Sequence, residues 1–171
     1  MLGERTWNQN ARRPELMEVP VSYTPNSPVP VRVLLFKSNL LDALHLRLAI
    51  DMSPLWCDVQ VVEENLATVR SVHAAILAGA PPPEMILFDC DLRSAECLDL
   101  LDAVKSSLVL GDVPLVLVGN HEKEESGPLA RAHGATAFVR RPARTGDLAN
   151  VGREIARIWS LHEERRAEAL S

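Results

Sequence analysis

Apolar residues fall along this chain in short continuous runs separated by amphipathic stretches. VRVLLF (Val31–Phe36) is rich in β-formers and too short for a helix, and Leu41, Leu44, Leu48 and Met52 follow it at helical spacing. DVQVV (Asp58–Val62) predicts a second strand, after which Leu66, Val69, Val72, Ile76 and Leu77 form the apolar face of a helix that stops at Gly79. EMILF (Glu84–Phe88) is the kind of unbroken apolar run expected where both faces of a sheet are covered, and Leu98, Leu101, Val104 and Leu108 mark a third helix behind it. VPLVLV (Val113–Val118) predicts a fourth strand, a more polar helix over Glu122–His133 is closed by Gly134, and TAFV (Thr136–Val139) predicts a fifth. The last helix is expected to begin near Thr145 or Asp147 and to bury Leu148, Val151, Ile155, Ile158 and Trp159.

Five strand–helix units with short connections require right-handed crossovers, which place helices on both faces of a parallel sheet and gather the loops at the carboxyl ends of the strands. The pattern therefore predicts one α/β doubly wound domain over residues 31–160, with any site at that carboxyl edge. Residues 1–30 carry Pro14, Pro20, Pro25, Pro28 and Pro30 and read as an extended or disordered leader; the other reading is a docking segment anchored by Trp7, Leu16, Met17 and Tyr23. Residues 161–171 read as a charged helical extension of the last helix.

Charge and composition remove several classes of function. The net charge of −5, from 23 acidic and 18 basic residues without a block of like sign, lacks the footprint of a nucleic-acid binder. No apolar run approaches the roughly 20 residues of a membrane span, and the start lacks the pattern of a signal peptide, so a cytoplasmic protein without membrane insertion is expected. Cys57, Cys90 and Cys97 are an odd number without metal-type spacing, which predicts reduced thiols, with a redox role for Cys90 and Cys97 as the lesser reading. His45, His73, His121, His133 and His162 share no ligand-like spacing, and neither a metal site nor a cofactor is expected.

Three strand ends carry the candidate chemistry: Asp89 after EMILF, Gly119 after VPLVLV, and Arg141-Pro142 after TAFV. In this order and spacing PEMILFDCDL, VPLVLVGNHEKEE and GATAFVRRP resemble the third, fourth and fifth strand segments of the response-regulator receiver domain, and the resemblance runs from Val31 to about Ile158. It implies the flavodoxin-like (βα)5 sandwich, two-component signalling in a bacterial cell, and Asp89 at the phosphoacceptor position.

The same resemblance implies that the rest of the pocket is degenerate. Lys37 and Ser38 stand where the family has two acidic magnesium ligands, Gly119 where it has a hydroxyl, and Arg141 where it has a lysine, while Phe138 holds the aromatic switch position. The loop after Asp89 departs too, with Arg93 in place of a proline and Cys97 in place of a glycine. A lysine ammonium repels a dication and can itself pair with Asp89, as can Arg141. The expectation is a non-catalytic pseudo-receiver of bacterial signalling or protein localisation that binds another protein independently of phosphorylation, with Ile158, Trp159 and His162 of the last helix as a partner or homodimer surface. The alternatives are an unusual response regulator phosphorylated on Asp89, and a small phosphatase-like enzyme using Asp89 and Asp91, whose DCD echoes the DxD of haloacid-dehalogenase-like phosphatases.

Overall fold

In a computed structural model of the chain, residues 29–120, 123–141 and 145–171 are described. The leader, His121 and Pro142 lie outside them, apart from Val29 and Pro30 at the leader's end. Five strands, β1 (Val31–Lys37), β2 (Cys57–Glu63), β3 (Met85–Asp89), β4 (Leu115–Gly119) and β5 (Ala137–Arg140), alternate with α1 (Leu40–Asp51), α2 (Leu66–Leu77), α3 (Ala95–Ser106), α4 (Lys123–Ala132) and α5 (Leu148–Leu170). All neighbouring strands pair in parallel, in the order β2-β1-β3-β4-β5. This is the doubly wound arrangement, and the chain reverses direction across the sheet between β1 and β3, where the carboxyl ends of the strands open a crevice.

Alternate residues of each strand feed two cores. Val33, Leu35, Met85, Leu87, Val116 and Val118 face α1 and α5, while Leu34, Phe36, Ile86, Phe88, Leu115 and Leu117 face α2, α3 and α4. Every residue of β3 and β4 is buried, which explains why these strands read as continuous apolar runs. Phe36 and Phe88, partners in the β1–β3 register, stack with ring centroids 4.4 Å apart. Asn39 and Asn65 start α1 and α2, each side chain accepting a 2.8 Å hydrogen bond from the backbone N–H three residues on. Gly79 and Gly134 carry the positive φ angles that end the turns after α2 and α4.

Three helix faces differ from expectation. In α2 Val69 and Val72 are buried and Ile76 packs against them, but Leu66 and Leu77, at the two ends of the helix, are exposed. In α1 the buried residues are Ala43, Leu46, Ala49 and Ile50, whereas Leu40, Leu41, Leu44, Leu48 and Met52 face outward. The reason is close packing against α5: a Cβ on Gly152 would lie 2.0 Å from the Ala49 carbonyl oxygen, so small residues must occupy the contact and the leucines are turned away from it. In α3 the buried positions are Cys97, Leu100, Leu101 and Val104, and Leu108 is solvent-exposed because the helix ends at Ser106. Among the described residues, no helix is long and apolar enough to cross a membrane.

Candidate functional site

The β1–β3 register pairs Lys37 with Asp89, so the ends of the two strands deliver both residues, and then Ser38, to the crevice. Asp89 is 3% exposed. A carboxylate so far from water needs a counter-charge. It is supplied from the next-but-one strand: Arg141, directly after β5, brings its Nη2 against Asp89 Oδ1 and its Nη1 to 2.7 Å from Asp42 Oδ2. The position of Arg141 is fixed by its own backbone N–H, which donates to the Gly119 carbonyl at 2.7 Å. One guanidinium therefore bridges two carboxylates, a task suited to its planar fork of donors.

Lys37 goes elsewhere. Its Nζ lies 2.6 Å from Glu63 Oε1, at the end of the neighbouring β2, so of the two cations expected to hold Asp89 only Arg141 does so. Ser38 Oγ donates to the Asp89 backbone carbonyl at 3.3 Å. Asp91 is half exposed, accepts from the Arg93 N–H at 2.9 Å and pairs with the Arg93 side chain. Asp89 and Asp91 thus both line a cleft of about 170 Å³ but have different partners.

The resemblance to receiver domains implies a magnesium ion at this edge, and the donor set does not fit one. Magnesium takes hard oxygen ligands in near-octahedral order. Here the two carboxylates that approach each other, Asp42 and Asp89, have a guanidinium between them, and among the described residues the Asp89 region contains no cluster of three potential metal ligands apart from one built on cysteines.

Gly119 and Phe138 are coupled. Phe138 is 2% exposed, and a Cβ on Gly119 would stand 3.1 Å from its Cε2 and 3.3 Å from its Cζ. The missing side chain thus makes the space in which the ring lies inward. Gly119→Thr is expected to lower stability by about 1–3 kcal/mol through overpacking. Urea denaturation should show Phe138→Leu relieving much of that loss in the double variant, and simple additivity would mean that the contact is not shared.

On the other side of the loop, Cys90 and Cys97 are joined as a disulfide, where the sequence predicted reduced thiols. Cys97 lies in the first turn of α3, which brings it back over Cys90, a proximity that spacing alone does not reveal. Cys57 remains a free thiol, and burial, followed by the charges of Asp51, Glu84 and Asp58, pushes it far above its ordinary pKa. Glu64 also escaped the sequence reading: burial, then the charge of Glu96, push its carboxyl up to about 7.

On α5 the structure separates the three residues of the anticipated contact surface. Ile158 is buried in the core beside α1, because the 3–4 spacing that marked it continues the inward face. Trp159 is half-buried against that core and leans on His162, with ring centroids 5.9 Å apart. Asp42, the second carboxylate on Arg141, was missed; its place in the first turn of a helix at the carboxyl edge is the signal that could have flagged it.

No protein-family profile and no curated protein matches the chain. Solved structures do. A phosphorylated cyanobacterial phytochrome response regulator is 19% identical with a TM-score of 0.62, over 77% of this chain and 94% of that one. A response-regulator receiver domain from Rhodospirillum rubrum is 16% identical with a TM-score of 0.62, over 77% and 94%. A bacteriophytochrome response regulator is 22% identical with a TM-score of 0.58, over 82% and 92%. The class defined by these likenesses is structural: the chain has the receiver fold of response regulators, a flavodoxin-like sheet with five helices.

Proposed function

We propose that this chain is a non-catalytic signalling module of the receiver fold that works by binding another protein, with its phosphoacceptor pocket held in one state independently of phosphorylation. The observation that carries this reading is the Arg141 guanidinium lodged between Asp89 and Asp42. Phosphoryl transfer to a carboxylate depends on positioning and on cationic help at the phosphoryl oxygens. In this pocket one Asp89 oxygen is taken by Arg141, Lys37 is engaged by Glu63, and Gly119 offers no hydroxyl. The fixed guanidinium neutralises Asp89 without a metal, and this charge balance does not depend on a phosphoryl group.

A binding role also suits the outward face of α1, where Leu40, Leu44 and Leu48 lie one turn apart and exposed. On α5, Trp159, His162 and the exposed turns beyond them remain available for a partner or a second copy, without Ile158. A bacterial pathway belongs to the same proposal, because one of the similar structures is a phosphorylated cyanobacterial response regulator, and cytoplasmic residence is proposed with it.

A second reading has one observation in its favour: Asp89 Oδ2 is buried without a hydrogen-bond partner among the described residues. A phosphorylatable aspartate would use that oxygen. The deciding experiment is a titration with magnesium and beryllofluoride, followed by tryptophan fluorescence and by amide NMR shifts around Asp89. No response from the folded chain is expected. Saturable binding that vanishes in Asp89→Asn would replace the proposal with a phosphorylation switch.

A further inference from the structure

The second cleft at the carboxyl edge, of about 430 Å³, lies between the start of α2 and the first turn of α3. One potential ligand atom from each of Glu64, Cys90 and Cys97 meets there, all within 4.8 Å of one another. Both cysteines are buried, and Glu64 Oε2 is buried with no hydrogen-bond partner among the described residues. Glu96 and Asp99 line the same cleft, so its surroundings are acidic, which favours a bound cation. None of these groups takes part in the Asp89–Arg141–Asp42 bridge.

We propose that Cys90 Sγ, Cys97 Sγ and a carboxylate oxygen of Glu64 form a site for a thiophilic divalent cation of the zinc class, open in the dithiol form of the protein and closed in the disulfide form. Two thiolates with one carboxylate select zinc-like ions over magnesium or calcium, which prefer oxygen alone. Three protein ligands leave a fourth tetrahedral position, the arrangement of a site that can also take water or a partner's side chain. With metal–sulfur bonds of about 2.3 Å, tetrahedral geometry sets the two sulfurs about 3.8 Å apart. The Cys90 and Cys97 Cα atoms are 5.9 Å apart, and breaking the S–S bond releases both side chains to rotate toward that spacing.

The chemistry balances with one co-reactant. A dithiol reductant gives two electrons and two protons to the Cys90–Cys97 bond, yielding two thiols and the reductant's own disulfide. The cation then displaces the two thiol protons to water as the metal–sulfur bonds form. Metal binding and disulfide formation therefore exclude each other, and the occupied site would tie the loop after β3 to the start of α2.

The test uses the full chain, reduced with a phosphine, freed of metal and titrated with cobalt(II) as a spectroscopic probe, then with zinc. One equivalent of cobalt should give an intense thiolate-to-metal charge-transfer band that zinc bleaches, and the oxidised chain should give none. Cys90→Ser and Cys97→Ser should each weaken binding at least tenfold, Glu64→Gln roughly tenfold, and Cys57→Ser should leave it unchanged. Circular dichroism identifies variants that fail to fold, and the comparison of reduced with oxidised wild-type chain needs no variant. Absence of the band in the reduced, folded chain, or a cobalt affinity unchanged in Cys97→Ser, overturns the proposal.

Discussion

Arg141→Ala should cost about 3–5 kcal/mol of folding stability, the range for removing one partner of a buried ion pair. The loss has two components, since Asp89, 3% exposed in the wild type, loses its counter-charge and Asp42 loses its 2.7 Å contact. Asp89→Asn should cost less, because Arg141 keeps Asp42 and an amide oxygen can still accept from the guanidinium. Arg141→Lys should fall between them: the charge is kept, but a single ammonium cannot span both carboxylates as the fork does. Urea midpoints of the three variants measure the order. If Arg141→Ala were as stable as the wild type, the guanidinium would not be the group that holds this pocket, and the proposed function would lose its support.

The second large effect is predicted at Gly152. Replacing a glycine inside a helix by alanine ordinarily gains up to about 1 kcal/mol. In α5 the sign should reverse. The new Cβ would meet the Ala49 carbonyl oxygen at 2.0 Å, its carbonyl carbon at 3.0 Å and Ser53 Cβ at 3.1 Å. The obstacle is backbone, so no rotamer relieves it and α5 must move away from α1. Overpacking of this kind costs about 3 kcal/mol or more when the neighbour cannot yield. Gly146→Ala is the control, since a Cβ there meets nothing within 4 Å. Thermal unfolding of the two variants should show a large drop for the first and little change for the second. Equal melting temperatures would mean that the α1–α5 contact is looser than described.

The strands were legible because burial on both faces leaves a signal in composition alone; β3 and β4 are apolar at nearly every position and lie where the runs predicted, within two residues at their ends. The buried face of α1 was not legible. Its sequence, LLDALHLRLAID, is apolar on more than one side, so periodicity does not choose a face, and the choice is made by a glycine on a helix far along the chain. The site divides in the same way. Asp89, Gly119 and Arg141 could be located because the first two end, and the third directly follows, a recognisable strand. Which cation takes Asp89 could not be read, because Lys37 has a competing carboxylate, Glu63, only on the paired strand. The proximity of Cys90 to Cys97, and of both to Glu64, arises from the path of the loop into α3 and from the start of α2, neither of which leaves a periodic trace.

The Asp89–Arg141 bridge also bears on how the chain folds. Strand β5 is short and lies at the edge of the sheet, the kind of element that usually frays first. Here it delivers the residue that neutralises a carboxylate buried in the middle of the sheet, so detaching β5 strands that charge in the interior. Local opening at this edge is thereby tied to failure of the centre, and the pairing of an edge strand becomes a condition for the cooperativity of the whole sheet.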